Sequence, residues 1–559
     1  MKLERRDYEF NNPRICHIQP KHIELDRALI NLYMLLKYDG KRPVARSGRK
    51  EVTVGFILES LMQQHGKDLQ GFSEHPDIVK DWLHSDLLDI VYRGIPEKEK
   101  IASPLPLHLN AYKLRNPTIA KDYRGAEHLY SMLLAADPAL VQRLKEFLGR
   151  GMDPTGGYDM YDGETSLDLD TMMIVRMVDS PELKEDPSGE RSTPEAPLCR
   201  GQARLFCDDL RRLLAYERYV PRSVMISYLR TAVGFHLGLY LVRLFQEMSG
   251  WVRDRSANPV CLICPVKPNE NHYFSECPYA FQNESAYKPE VATELIVDMG
   301  EDHTSQMASI SMANCAAVYE TMNDYIHAVF TTNQLFQFAG TRSYQSKATE
   351  PIPQKVEQVL RLFQGPSHQM DFHFQNRIDS LFPEGMDNES PEVKAILEMN
   401  ELTPIETFVE LVALERIYNY RRELTRQIDS VLMKNQDTCL LRQGKGKSNR
   451  RRWYIGSRLL EFLVQIAVID PVGEGANAHF VSRPILIDDF IKWLRDRYGL
   501  VIIPEWPDAR VEDNKAFNEN LQNLKRRLRE IGFYTDLSDA YNTQTIRPRY
   551  QIKGSEQLP

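Results

Sequence analysis

The chain has little that reads as a membrane span and nothing at its first residues that reads as a secretory leader. The first residues, Met1-Lys2-Leu3-Glu4-Arg5-Arg6-Asp7, run into polar sequence with no apolar core of a signal peptide. The most membrane-like stretch, Ile226 to Phe245, carries Arg230, His236 and Arg243, which are costly in lipid. It reads as a buried helix, and the expectation is a cytoplasmic protein without membrane contact. Cysteine is scarce, at eight in 559 residues, which excludes a disulfide framework. Five of the eight are scattered: Cys16, Cys199, Cys207, Cys315 and Cys439. The 32 Pro and 29 Gly are too few for a collagen-like or low-complexity chain. Familiar catalytic signatures are missing too: G-x-S-x-G, G-x-G-x-x-G and H-E-x-x-H do not occur. Gly446-Lys447-Ser448 looks like the end of a P-loop, but Leu441 stands where that motif needs its first Gly.

What is present suits a large folded protein. At 42% hydrophobic residues the chain can bury real cores. Its length corresponds to roughly three to five domains. Apolar residues recur at helical spacing over most of it, for example Leu25, Ala28, Leu29, Leu32 and Leu35. Further helices are predicted over 54–64, 126–134, 139–148, 204–216, 223–248, 308–338, 355–363 and 404–433. Strand-like runs are few: Thr171–Val178, Glu294–Asp298 and Leu500–Ile503. The expected architecture is mainly α and multidomain. It comprises an N-terminal helical domain (1–178), a Pro/Ser-rich linker (179–197) and a central helical domain (198–345). A helical bridge (346–441), a basic tether (442–456) and a winged-helix-like α/β domain (457–559) follow.

The remaining three cysteines fall together. Cys261, Cys264, His272 and Cys277 form C-x2-C-x7-H-x4-C, four ligands of the types a tetrahedral zinc ion takes. With no obvious open position the site reads as structural, a small zinc-knuckle-like insertion in the central domain. The alternatives are three buried thiols beside a surface His, or a redox C-x-x-C. Pro265 and the lack of a βαβ context weigh against the second. Such boxes occur in nucleic-acid binders and in pure scaffolds alike.

Charge is unevenly placed. The whole chain is −8, yet residues 442–559 carry 20 Lys/Arg against 15 Asp/Glu. Arg442, Lys445, Lys447, Arg450, Arg451, Arg452 and Arg458 stand in a 17-residue window with no acid. Beyond it the order of elements resembles a winged helix-turn-helix, with helices at 457–469, 488–498 and 514–531 and a hairpin wing from 533–535 and 543–552. On the third helix Phe517, Leu521, Leu524, Leu528 and Ile531 make an apolar stripe. Gln522, Arg526 and Arg529 face away from it, with Lys525 at their flank, and Arg527 sits nearer the apolar edge. That is the division a helix entering a DNA groove needs. Arg547 and Arg549 add cations on the wing.

The first reading is therefore a non-enzymatic subunit that binds duplex DNA through these residues and uses the rest as a protein-docking scaffold. A second is a metal-dependent nuclease or other nucleic-acid enzyme. Asp168, Asp170, Glu182 and Lys184 loosely fit the carboxylate-and-lysine set that holds Mg²⁺. His368, Asp371 and His373 form a compact group in which alternation would put Asp371 and His373 on one face. A third is an assembly adaptor without nucleic acid.

In its cysteine box, its basic 442–452 segment and its Arg-rich third helix, the chain resembles accessory subunits of multi-gene bacterial anti-phage systems. These are the methylation-associated defence system and phosphorothioation-dependent restriction systems. The resemblance covers the box and the last 120 residues or so. It implies a bacterial protein acting on phage DNA beside other subunits, an ATPase among them, and it transfers no catalytic residue.

Overall fold

Long apolar helices set the centre of the molecule in the computed structural model. It describes residues 1–45, 52–65, 71–95, 98–179, 185–186, 194–255, 294–346, 351–365, 367–382, 390–433, 436–444, 450–473, 479–534 and 544–553. The first half carries α1 (Leu25–Lys37), α2 (Val54–His65), α3 (Pro76–Trp82), α4 (Gly125–Ala136), α5 (Pro138–Leu148), α6 (Leu169–Val178), α7 (Arg200–Leu214) and α8 (Arg222–Arg253). The second half carries α9 (Gln306–Ala339), α10 (Ser367–Leu381), α11 (Pro391–Leu397), α12 (Pro404–Leu432), α13 (Ser457–Ala467), α14 (Ile487–Tyr498) and α15 (Val511–Glu530). Local chemistry sets many ends. Asp137 caps α5 at Leu140 N–H, with Pro138 in its first turn. Thr403 and Glu406 form a capping box at the start of α12. Gly499, at φ +73°, stops α14 in the left-handed conformation.

α8 is the core helix. It is long and apolar enough to cross a membrane by composition, and 83% of its most apolar window is buried inside the protein. α7, α9, α12 and α13 pack around it. Gly234 and Gly238 sit one turn apart on it. A Cβ at Gly234 would strike Thr438 and Leu25, and one at Gly238 would strike Leu432. The glycines let the end of α12 approach the α8 backbone closely.

One group of polar side chains inside this core is tightly paired. Asp209 of α7 accepts from His236 Nε2 at 2.9 Å, from the Tyr498 hydroxyl at 2.6 Å and from Arg497. Gln202 Nε2 donates to His236 Nδ1 at 2.7 Å, and Arg243 reaches the Tyr498 carbonyl at 3.1 Å. Burial outweighs the pull of Asp209 and lowers the His236 pKa. Desolvation alone would raise Asp209, but Arg497, His236 and Tyr498 hold it below the usual carboxylate range. The network fastens α14 to α7 and α8. One apolar cluster runs from Phe10 to Ile552 through the N-terminal, central, bridging and C-terminal segments.

Strands are short. β1 (Val44–Ala45) pairs with β4 (Glu185–Asp186), and β2 (Leu88–Val91) with β3 (Lys100–Pro104), both antiparallel. β5 (Leu295–Ile296) pairs in parallel with β11 (Leu500–Val501). β6 (Leu441–Gln443) and β7 (Arg451–Trp453) are antiparallel. A parallel bridge between Val297 and Trp453 joins these two ribbons into one seam. In the C-terminal segment β8 (Ile469–Val472) and β9 (His479–Ser482) form a hairpin. β10 (Ile485–Leu486) pairs antiparallel with β12 (Thr545–Ile546).

The sequence expectations at 294–298 and 500–503 hold, but the one at 171–178 does not. That segment is helix α6, opened by Asp168, which accepts from Thr171 N–H at 3.0 Å. A continuous apolar run fits a buried strand or a buried helix equally by periodicity, and here the cap decides it. His368, Asp371 and His373 likewise lie on a helix, α10. At 100° per residue His368 and Asp371 share a side, while His373 turns away to pack on Phe338 at 5.3 Å. The expected pairing of Asp371 with His373 on one face is thereby corrected.

Candidate nucleic-acid interface

The acid-free run of the sequence is not acid-free in space. Leu441–Gln443 and Arg451–Trp453 pair as the β6–β7 ribbon, which lies against α9, α12 and the 298–302 loop. Arg452 is fully buried. It pairs with Asp298 and donates to the carbonyls of Asp302 at 2.9 Å and Gly300 at 3.1 Å. Arg451 makes a two-pronged bond to Asp429 of α12, Nε at 2.9 Å and Nη2 at 2.6 Å, and covers the Tyr319 ring. Arg442 pairs with Glu301 at 2.5 Å and stacks on Tyr454. Glu301 also accepts from the Tyr454 hydroxyl at 2.5 Å. Desolvation raises its pKa, but the bonds from Tyr454 and Arg442 outweigh that and hold it below the ordinary glutamate value. Arg458 reaches the Ser227 hydroxyl and lies 3.9 Å from Asp437. Only Arg450 among the described members of the run stands exposed and without an ion pair. Lys445 and Lys447 lie outside the described residues.

The third helix of the C-terminal segment, α15, is divided differently. Its back is bolted down. Asn520 accepts from Met299 N–H at 2.7 Å and donates to the carbonyls of Val297 at 2.9 Å and Ile502 at 2.8 Å. Phe517 and Ala516 pack on Met307 of α9, and Leu524 and Leu528 are buried. Arg527 is buried as well, donating to the Ile455 carbonyl and lying over Tyr454. On the front, Gln522, Arg526 and Arg529 are exposed and Lys525 is half-buried. Arg526 touches Asn523 and lies 3.9 Å from Glu530, and Arg529 covers Tyr534. Arg547 is exposed, whereas Arg549 binds Glu461 and the Ile531 carbonyl.

Cys261, Cys264, His272 and Cys277 lie outside the described residues, as do Glu182 and Lys184. Asp168 is engaged as the α6 cap. Among the described residues no three His, Cys, Asp or Glu side chains meet as a metal site.

The family model of the methylation-associated defense system protein MAD7 matches residues 5–550. The chain belongs to this family. Comparison with curated proteins and with solved structures found no match. The MAD7 match reaches far beyond the cysteine box and C-terminal region on which the sequence resemblance rested, and takes in the helical first 440 residues as well. It makes the chain a component of a defence system, in which other components are its natural partners.

Sequence reasoning missed one group of cations on this MAD7-family chain. Arg421, Arg422 and Arg426 stand exposed on the second half of α12, beside Tyr418, which is 74% exposed. The signal was legible as Tyr418-Asn419-Tyr420-Arg421-Arg422, an aromatic and basic interleaving on one helix. It was obscured by the acids around it, of which Glu423 pairs with Arg426 at 3.0 Å.

Proposed function

We propose that this chain is a non-enzymatic DNA-binding and scaffold subunit of its defence complex, docked to other subunits, an ATPase among them. The observation that carries this reading is α15. Its back is fixed by Asn520, Phe517 and Leu524, and its front presents Gln522, Arg526 and Arg529 to solvent with Lys525 half-buried at their flank. A rigid helix with a cationic, hydrogen-bonding front suits duplex DNA. The winged-helix reading of 457–559 is supported by β10, which lies between the first and second helices and pairs with β12 beyond the third. β11, paired outward to β5, is an addition to that plan. Arg450, Lys445, Lys447 and Arg547 would add phosphate contacts. Cys261, Cys264, His272 and Cys277 would hold one structural zinc ion, on the strength of their spacing.

The test is retention of duplex DNA by the full-length protein across a salt series. Binding should weaken steeply with salt, and Arg526→Ala/Arg529→Ala should lose about tenfold or more in affinity. A folded protein that retains no duplex at low salt would make the protein-only adaptor the right reading. Mg²⁺-dependent cleavage lost in Asp170→Ala or Asp371→Ala would make it the nuclease. Metal analysis should find one zinc per chain, lost in Cys261→Ser/Cys264→Ser; full retention there would remove the zinc assignment.

A further inference from the structure

A concave groove of about 590 Å³ lies between α9, α12 and the start of β7, apart from the α15 face. Its α9 wall is Met312, Ala313 and Ala316, a low apolar surface on one side of the helix. Its cations come from two other elements. Arg421 of α12 and Arg450 are exposed and have no ion pair among the described residues. Arg451 is already oriented, because Asp429 engages its Nε and Nη2 and Tyr319 lies beneath it. Its Nη1 has no partner among the described residues. Glu320 is the one acid of the lining, against three guanidinium groups. Thr425 adds a hydroxyl.

Two exposed guanidiniums, with a third held by Asp429, line one groove and favour an anion, and planar forks match the oxygens of a phosphate. A lone phosphate would leave most of the groove empty. A volume of this size suits a ligand with a flat apolar body as well, which the Met312–Ala316 wall can face. A purely apolar peptide would leave the cations desolvated and unpaired.

We propose that this groove binds a nucleoside phosphate unit, the phosphate on Arg421, Arg450 and Arg451 and the base against Met312, Ala313 and Ala316. A free nucleotide and an unpaired nucleotide of a strand offer the same chemistry. The strand source rests on the DNA-binding reading above, whereas the free-nucleotide source does not.

Calorimetric titration of the full-length protein at low salt tests it, with dAMP, inorganic phosphate and a ten-residue oligothymidylate as probes. dAMP should bind at least tenfold tighter than inorganic phosphate. Arg421→Ala should cost about tenfold, as loss of a charge-assisted bond does. Ala316→Trp, at an exposed position, should block the groove without removing charge. Oligothymidylate binding weakened by both variants identifies the strand as occupant. Oligothymidylate binding that neither variant moves, beside dAMP binding that both weaken, identifies the free nucleotide. Equal binding of dAMP and phosphate would overturn the proposal, as would wild-type protein that binds neither dAMP nor oligothymidylate. So would dAMP binding untouched by Arg421→Ala, the variant that decides if Ala316→Trp does not fold. Loss of duplex retention in Arg526→Ala/Arg529→Ala reads the α15 face, and neither of those residues lines the groove, so the two proposals fail separately.

Discussion

The 442–458 segment and α15 are both dense in arginine, yet the fold uses them in opposite ways. In the first, Arg442, Arg451, Arg452 and Arg458 meet Glu301, Asp429, Asp298 and Asp437, acids brought from elsewhere in the chain. The cations fasten the seam between the strands and α9 and α12. In the second, one arginine, Arg527, is turned inward and the others stay on the front. A run of like charge in sequence is thus not a charged surface. What decides is whether the backbone carrying it lies against the core, where a guanidinium must find acids and carbonyls or pay desolvation.

The contrast can be broken by mutation, most forcefully at Arg452. Arg452→Met leaves Asp298 buried without its cation and should destabilise the protein by about 3–5 kcal/mol. The urea midpoint checks this, and Arg526→Ala should leave that midpoint unchanged. If both behave alike, the seam is not structural. Arg451→Ala comes next. Loss of its two-pronged bond to Asp429 should cost about 1.5–3 kcal/mol, and Arg451→Lys should recover only part of it, because a point charge cannot reproduce the fork. Arg450→Ala sharpens the comparison within a single tripeptide. Stability should not change, while the slope of duplex affinity against salt should flatten by about 0.9, the value of one phosphate contact.

The smallest effect is in pH. Glu301 is held below the ordinary glutamate value in the folded protein, so the unfolded chain binds its proton first as the solution is acidified. Its contribution is present above about pH 4.5, the unfolded value, and fades as pH falls through the folded one. Unfolding midpoints at a series of pH values should show a shallower acid limb in Glu301→Gln. An unchanged limb would mean that the bonds from Arg442 and Tyr454 do not set this carboxylate.

Much of the helical layout was legible because long amphipathic or apolar runs leave few alternatives. α1, α5, α8, α9 and α12 start and stop within a few residues of their patterns, and Asp137, Thr403 and Gly499 mark ends that local chemistry dictates. α6 was misread because Met172, Met173, Ile174 and Val175 form a continuous apolar run, which carries no helical periodicity. The front of α15 was legible because its back is apolar at regular spacing. The Arg450 exception within its own basic run was not. Arg450 precedes β7, and the acids that engage its two neighbours, Asp429 for Arg451 and Asp298 for Arg452, come from distant parts of the chain, so only the fold shows that the pairing stops short of it.

By itself the sequence determined that the chain is mainly helical, that its membrane-like stretch belongs in a core, and that one late helix has an apolar back and a cationic front. Each is a local pattern, written in residues within a few turns of one another. Only the tertiary structure decided which cations remain available. Arg452 and Asp298 are separated by 154 positions, and Arg442 meets Glu301 only because β5 and β7 share a seam. Such pairings depend on which surfaces the fold presses together, and a buried charge is stable only where those surfaces supply its partner.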